Sequence, residues 1–173
     1  KVVQDNCPHL TEDQREALLK LLQRHEGLFE GKLGTWDDEL VHFDMKPNAK
    51  PFRANPYPVP RIHRDTIRRE LKRLCELGVI EEIEGSQWAA PSFFIPKPDG
   101  TGRFLTDFRG LNSQIERKPY PLPKISDILQ QMEGFSYATA LDLNMGYYHL
   151  LLDAETSNIC AIVFPWGFYR YKR

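Results

Sequence analysis

The chain has 173 residues, of which 41% are hydrophobic and 27% are charged, with a net charge of −1. This composition is typical of one globular domain or slightly more, and it excludes a disordered chain. No apolar run reaches the roughly 18 residues of a membrane-spanning helix, so we expect no membrane partner. The three cysteines lack C-x-x-C spacing, which indicates reduced thiols in the cytosol or nucleus: Cys7, Cys75 and Cys160.

Charge is unevenly distributed along the chain. Residues 1–50 carry a net charge of −3, whereas residues 51–75 carry +5, from seven Lys and Arg against two Asp and Glu. A basic segment in a nearly neutral protein permits a polyanionic partner, but a solvated helix face produces the same pattern. The sequence leaves both interpretations open.

Helical and extended patterns alternate in the first third of the chain. Thr11 followed by Gln14 resembles a capping box, and leucines at helical spacing predict a helix over about 12–26. The alternating stretch at 39–45 predicts a short strand. Five prolines within 47–60 predict an extended segment, because proline fixes φ and blocks helix formation.

A helix and a hairpin are predicted next. Apolar residues at helical spacing indicate a helix near 61–77: Ile67, Leu71 and Leu74. Aromatic and β-branched runs flank Pro-Asp-Gly, which predicts a β-hairpin over 93–107 with its tip at 97–102. We expect the hairpin to pack on the helix.

The last third also mixes the two periodicities. An apolar stripe predicts an amphipathic helix over 125–133, which we expect to lie on a sheet that contains a buried strand at 137–143. Two further short strands are predicted around Pro165-Trp166-Gly167. The chain is therefore expected to have an α+β fold.

Asp142 lies near the end of the predicted strand at 137–143 and is the one acid in this apolar stretch. A buried carboxylate is costly unless it is paired or binds a metal, and at a strand end it could hold Mg²⁺ through oxygen. A turn-capping acid is the alternative, and one aspartate does not distinguish the two.

Four sequence blocks together resemble reverse transcriptases, in particular those of gypsy-type long-terminal-repeat retrotransposons. The blocks are "GVIEEI", "SQWAAPSFFIPKPDGTGRFLTDFRGLN", "PYPLPKI" and "LDLNMGYYHLLLD". They follow the family's order, and the resemblance covers roughly residues 40–173. The first forty residues resemble, less specifically, the segment that precedes the polymerase in such polyproteins.

The resemblance implies a right-hand polymerase fold, truncated before the Tyr-x-Asp-Asp turn and the thumb. It divides the chain into an N-terminal extension with one helix at 1–48, fingers at 49–116, the first part of the palm at 117–149, and a return into the fingers at 150–173. The absence of an initiating Met agrees with an internal fragment.

The resemblance also implies roles for the "LDLNMGYY" block. Asp142 matches the first catalytic, metal-binding aspartate, and the carbonyl of Leu143 matches a second metal ligand. The implied cofactor is Mg²⁺, two ions in the complete enzyme, with Mn²⁺ possible. Met145 and Gly146 match positions whose backbone N–H groups approach the nucleotide triphosphate. Tyr147 matches the aromatic gate that rejects a 2′-hydroxyl, and its alternative is a core aromatic.

Further nucleotide and template residues are implied in the hairpin region. Lys97 and Arg103 match cations that clamp the nucleotide phosphates, although an exposed turn with solvated charges is the alternative. Four residues match positions near the template: Phe93, Asp107, Arg109 and Asn112. For the "DFRGLN" residues, an ion pair and turn that hold the fold are an equally open interpretation.

Polymerisation uses two metal ions, and one aspartate cannot hold both. The family's adjacent Asp pair is not among these residues, since Asp37-Asp38 follow Trp36 in the acidic N-terminal part. We therefore expect a fragment, or a truncated copy, that is inactive alone. The implied partners are an RNA or DNA template with primer, a dNTP and the remainder of the polyprotein, in the cytoplasm (virus-like particle) or nucleus; no oligomeric state is indicated. The alternative is a non-catalytic nucleic-acid-binding or interaction remnant.

Overall fold

The computed structural model describes residues 2–96, 102–134 and 139–173. These residues form two compact units, Lys1–Gly34 and Thr35–Arg173. The division into an extension at 1–48, fingers and palm stays a prediction. None of the helices in the described ranges is both long enough and apolar enough to cross a membrane. The three cysteines are free, as the sequence predicts.

The N-terminal unit is helical. It contains α1 (Val2–Asn6), α2 (Glu12–Arg24) and a 3₁₀ turn (Glu26–Phe29). The predicted capping box is present, because the Gln14 amide donates to Thr11 Oγ1 at 3.4 Å and the Thr11 amide donates to Gln14 Oε1 at 2.9 Å. The helix predicted over 12–26 is confirmed, whereas the sequence did not predict α1.

A five-stranded sheet forms the centre of the second unit. Its strands are β2 (Ile80–Ile83), β3 (Ala90–Pro96), β4 (Gly102–Thr106), β6 (Ala161–Phe164) and β7 (Gly167–Tyr171). They lie in the order β2-β7-β6-β3-β4, and within this sheet only β3 and β6 pair in parallel. The hairpin predicted over 93–107 and the two strands around Pro165 are confirmed, while the tip at 97–101 lies outside the described residues.

Helix α3 (Arg64–Glu76) packs beside β2 and follows a 3₁₀ turn (Arg61–His63). Its predicted apolar face is buried: Ile67, Leu71 and Leu74. Gly78 follows α3 at φ +66°, a left-handed conformation that suits glycine and turns the chain directly into β2. The hairpin contacts this region through the Phe94 ring, whose centroid lies 6.4 Å from that of His63.

A second, two-stranded sheet pairs β1 (Trp36–Val41) in parallel with β5 (Leu150–Leu152). The strand predicted at 39–45 therefore begins earlier and ends at Val41. No helix forms over 47–60, where the chain makes a turn at 47–48 and a parallel bridge at Arg53, and hydrogen bonds of 2.8 Å and 3.0 Å join Phe52 and Ala54 to Ala89.

His42 links the end of β1 to the chain after β5. Its Nδ1 lies 2.5 Å from Asp153 Oδ2, and its Nε2 lies 3.8 Å from Asp44 Oδ1. The hydrogen bond with Asp153 raises the pKa of His42. The Thr156 amide, which donates to Asp153 at 2.7 Å, and His42 together lower the pKa of Asp153. Asp153 is also the N-cap of α6 (Ala154–Ile159), which the sequence did not predict.

The packing predicted for the helix over 125–133 is wrong. A short helix, α4 (Arg109–Asn112), follows β4. Helix α5 (Ile125–Gln131) forms where expected, but its apolar side chains are exposed, Leu129 by 62%. Residues 139–143 are irregular and exposed instead of a buried strand, and residues 137 and 138 lie outside the described ranges. A strand needs a neighbouring backbone for its hydrogen bonds, and no described strand lies beside 139–143.

Candidate functional site

A tight turn carries the residues of the "LDLNMGYY" block. Asp142 lies in exposed irregular chain, and a 3₁₀ turn follows at Gly146–His149. The Gly146 amide donates to the Leu143 carbonyl at 3.2 Å, and the Tyr148 amide donates to the Met145 carbonyl at 2.8 Å. Asp142 thus precedes the turn, Tyr147 lies in it, and both side chains are exposed.

Met145 gives the turn its shape. Its φ of 54° and ψ of 35° are left-handed, and it is the one described non-glycine residue with positive φ. Such a conformation is uncommon for a bulky residue and persists where the surroundings enforce it. At Gly146, an added Cβ would lie 3.2 Å from Leu143 Cβ, so the absence of a side chain permits the close turn.

Tyr147 is 91% exposed, so the core-aromatic alternative is wrong. Its neighbour Tyr148 is the partly buried member of the pair. Tyr147 lines an open, largely apolar cavity of about 350 Å³ that also includes Asn112 and Phe104. The ring is thus free to contact a ligand at the mouth of this cavity.

Asp142 and Leu143 offer two oxygen donors for a metal ion. The described residues contain no cluster of three or more His, Cys, Asp or Glu side chains that could hold a metal. Mg²⁺ is usually held by one or two carboxylates together with substrate phosphates and water. The Leu143 carbonyl already accepts the Gly146 amide and keeps one lone pair. These donors fit part of the shell of one Mg²⁺ and do not by themselves accommodate two.

Arg103 is exposed on β4, directly opposite Ile95 on β3. Its side chain makes no ion pair with a described residue. The next residue, Phe104, lines the cavity that Tyr147 also lines. Lys97, the other predicted phosphate clamp, lies outside the described residues.

Asp107 and Arg109 form an ion pair, as one of the two sequence interpretations expected. Arg109 Nε lies 2.8 Å from Asp107 Oδ1, and Nη2 lies 2.6 Å from Oδ2. The Tyr57 hydroxyl also donates to Oδ2, at 3.2 Å. The hydrogen bonds from Arg109 hold the pKa of the Asp107 carboxyl well below its usual range. Asp107 therefore orients Arg109, whose side chain is largely exposed.

Tyr57 is a candidate site residue that the sequence analysis missed. Its ring meets Phe93 edge to face, with centroids 5.9 Å apart and planes at 82°, and both rings are 38% exposed. Together with Arg109 they form an exposed aromatic and cationic surface, which we call the platform. An aromatic residue within the proline-rich segment was the available signal, but its partner is distant in sequence.

The basic segment at 51–75 is largely accounted for by local contacts. Arg73 pairs with Glu70 at 2.8 Å, and Lys72 lies 3.8 Å from Glu76. The Arg68 guanidinium lies 5.2 Å from the centroid of the Trp166 ring. These contacts favour the interpretation of a solvated helix face for this part of the segment.

The fold defines the class of protein to which the chain is similar. The native prototype foamy virus protease-reverse transcriptase superposes on 95% of this chain and 22% of its own, with a TM-score of 0.80 and 24% identity. The foamy viral protease-reverse transcriptase in complex with RNA/DNA hybrid gives a TM-score of 0.77 with 18% identity over 95% of this chain and 22% of its own. This likeness shows a shared mixed α+β fold.

Sequence comparison finds similar proteins, and some of them are pol polyproteins. The retrovirus-related Pol polyprotein from transposon 297 of Drosophila melanogaster is 27% identical over 172 residues, which cover 95% of this chain and 16% of that protein. Protein K02A2.6 of Caenorhabditis elegans is 35% identical over 150 residues, covering 84% of this chain and 12% of its own length. No protein-family model matches the chain. The chain thus resembles a short part of retrotransposon and retroviral pol polyproteins.

Proposed function

We propose that this chain forms the fingers and the first part of the palm of a gypsy-type RNA-directed DNA polymerase, which adds a deoxynucleotide to a primer 3′-hydroxyl on a nucleic-acid template. The observation that carries the proposal is the turn in which Met145 has positive φ. This turn follows the exposed Asp142 carboxylate and presents the exposed ring of Tyr147 beside a cavity. The fingers would span 49–116, the first part of the palm 117–149, and the return into the fingers 150–173.

Asp142 and the Leu143 carbonyl would hold Mg²⁺, for which Mn²⁺ is a substitute. When bound, the metal supplies charge stabilisation for the nucleotide phosphates and the attacking hydroxyl. The complete enzyme uses two ions, which requires carboxylates additional to Asp142. In the transposon 297 Pol polyprotein, the similar region is 16% of the whole length, so the remainder of such a polyprotein is the proposed source of these ligands.

Nucleotide binding is assigned to the turn and to the hairpin. The Gly146 amide is engaged by the Leu143 carbonyl, which leaves the Met145 amide as the better donor to the triphosphate. Arg103 would contact the phosphates as a planar fork, and Lys97 as a compact charge. Tyr147 would lie against the sugar and reject a 2′-hydroxyl by steric overlap.

The template is assigned to the platform of Tyr57, Phe93 and Arg109. Aromatic rings stack on bases and arginine binds phosphate oxygens, so the combination suits a single strand of either nucleic acid. Asp107 orients Arg109, and Asn112 lines the cavity nearby. One of the similar solved structures is the foamy viral protease-reverse transcriptase in complex with an RNA/DNA hybrid, which supports a primed template as the partner.

The proposal is tested in a polymerase that contains this segment together with a Tyr-x-Asp-Asp turn. Template-directed incorporation of dNTP should fall by more than about a hundredfold in Asp142→Asn, since an amide replaces a metal-binding carboxylate. Asp127→Asn, which changes an exposed acid on α5, is the matched control and should keep wild-type activity. Equal activity of both variants would refute the catalytic assignment.

A second candidate function is nucleic-acid binding without catalysis, which the platform favours because it does not involve Asp142. Under both proposals the 173-residue chain should bind a primed template without extending it. Under the second proposal, binding is the whole function. A longer chain that contains this segment together with a Tyr-x-Asp-Asp turn should then also fail to incorporate dNTP. A primer-extension assay beside a binding assay separates the two.

A further inference from the structure

Arg73 on α3 reaches the turn that carries Tyr147. Its Nη1 lies 3.9 Å from the Met145 sulfur, a weak hydrogen-bond acceptor. The same guanidinium is held by Glu70, with Nε at 2.9 Å from Oε2 and Nη2 at 2.8 Å from Oε1. These two hydrogen bonds to Glu70 fix the orientation of the Arg73 guanidinium, and with it the contact of Nη1 with the Met145 sulfur.

Tyr148 secures the turn from the protein interior. It is partly buried, and its ring centroid lies 6.4 Å from that of Tyr171. Burial raises the pKa of Tyr148, and the charges of Glu70 and Arg73 also act on it. The contact with Tyr171 therefore anchors the residue that directly follows Tyr147.

A polar chain continues from Tyr171 to the β3–β4 hairpin. The Tyr171 hydroxyl lies 3.2 Å from Thr106 Oγ1, which lies 3.1 Å from Ser92 Oγ. Ser92 and Tyr171 are buried. A buried polar network tolerates few alternative arrangements, because any displaced member leaves an unsatisfied group. The hairpin and the turn are consequently packed on one common set of contacts.

We propose that Arg73 and Tyr148 are positioning residues that hold the turn in the shape that exposes Tyr147. The left-handed backbone of Met145 is unfavourable for its residue type and needs such support from its surroundings. Through Tyr171 and Thr106, the contacts also join the turn to the hairpin that carries Arg103. The effect on nucleotide selection rests on the function proposed above, whereas the contacts around Met145 do not.

Methyl NMR tests the contacts directly in the 173-residue chain. The chain has three methionines, so ¹³C-methyl labelling gives a separate signal for each: Met45, Met132 and Met145. Arg73→Gln should shift the Met145 signal and leave the other two in place. Arg69→Gln is the matched control and should shift none, because Arg69 lies on the same helix and its hydrogen bond to a described residue goes to Thr66 Oγ1, at 3.4 Å. An unmoved Met145 signal in Arg73→Gln would overturn the inference.

Tyr148→Phe provides a milder second variant, because it keeps the ring and removes only the hydroxyl. It should move the Met145 signal in the same direction by a smaller amount. Since it retains the apolar packing, it gives a result even where Arg73→Gln does not fold. No movement in a folded Tyr148→Phe would remove Tyr148 from the proposal.

Kinetics tests the consequence in a polymerase that contains this segment. Arg73→Gln should lower the ratio of kcat/KM for dNTP over rNTP by about threefold to tenfold, the effect of losing one hydrogen bond. Arg73→Lys keeps the positive charge but loses the planar guanidinium. Its ratio of kcat/KM for dNTP over rNTP should lie between those of Arg73→Gln and the wild type. A purely stabilising role would reduce the use of both nucleotides equally.

The two experiments distinguish the possible failures. A polymerase without nucleotide use refutes the proposed function, while the Met145 signal still decides whether the contacts exist. A shifted Met145 signal with an unchanged nucleotide ratio shows that the contacts are present but do not position Tyr147.

Discussion

Arg109 and Asp107 form an ion pair in which only one partner faces solvent. The Asp107 side chain is 14% exposed, whereas that of Arg109 is 86% exposed. The carboxylate also accepts the Arg109 backbone amide at 3.2 Å, which fixes its position. Asp107 therefore holds the exposed Arg109 guanidinium in a defined orientation, in the platform that also contains Tyr57 and Phe93.

Arg109→Ala is predicted to weaken the binding of a primed template by about tenfold and to reduce the salt slope of binding by about 0.7 to 0.9, the value for one phosphate contact. Asp107→Asn should have a smaller effect, because the charge stays while its orientation is lost. Arg24→Ala, in the N-terminal unit, serves as the control. Fluorescence anisotropy across a salt series measures the slope, and an unchanged slope in Arg109→Ala would exclude the phosphate contact.

Tyr147→Val is predicted to increase the use of ribonucleotides relative to deoxyribonucleotides by about tenfold to a hundredfold in a polymerase that contains this segment, since space opens at the 2′-position. Because Tyr147 is exposed, the free energy of unfolding should change by less than about 0.5 kcal/mol. The measurement is the ratio of kcat/KM values for the two nucleotides. A constant ratio would end the gate assignment.

Arg103→Ala is predicted to raise the KM for dNTP by about tenfold or more and to leave kcat less affected, since a phosphate contact is lost while the metal ligands remain. Arg117→Ala, another exposed arginine, is the control. Steady-state kinetics at saturating primed template gives both constants. A fall in kcat at constant KM would assign Arg103 to the chemical step instead.

The His42–Asp153 pair predicts a pH dependence of stability. The folded-state pKa of His42 is raised, so its contribution is fully present below about pH 6.5, the ordinary value, and is lost as the pH rises through the folded pKa. The pKa of Asp153 is lowered, so its contribution is present above about pH 3.9 and is lost on acidification. Thermal unfolding of the wild type and His42→Gln from pH 5 to 9 should show Tm values that converge at high pH. If the Tm values of the two proteins changed in parallel with pH, the pair would not contribute to stability as proposed.

Two leucines give a matched test of burial. Leu71 on α3 is 2% exposed, and Leu71→Ala should lower the free energy of unfolding by about 2 to 5 kcal/mol. Leu129 on α5 is exposed, and Leu129→Ala should cost less than about 0.5 kcal/mol. Urea denaturation of both variants measures the difference. A comparable loss in Leu129→Ala would show that this helix is covered in solution.

Local patterns in the sequence were sufficient for several elements. The capping box at Thr11, the apolar face of α3 and the antiparallel pairing of β3 with β4 are all formed by residues close together in the chain. Their geometry depends on backbone dihedrals and on nearby hydrogen bonds, which residue type and spacing control directly. The candidate residues of the "LDLNMGYY" block share this advantage, since one turn brings them together.

The tertiary structure alone decided which amphipathic faces are covered and which distant residues meet. Both α3 and α5 have apolar residues at helical spacing, but this apolar face is buried in α3 and exposed in α5. The spacing identifies an apolar face but not the surface that covers it. The contacts of Tyr57 with Phe93, and of Arg73 with Met145, depend on how α3 and the extended segment pack against the sheet. Such contacts are set by the strand order and register of the whole unit, so no local window of the sequence contains them.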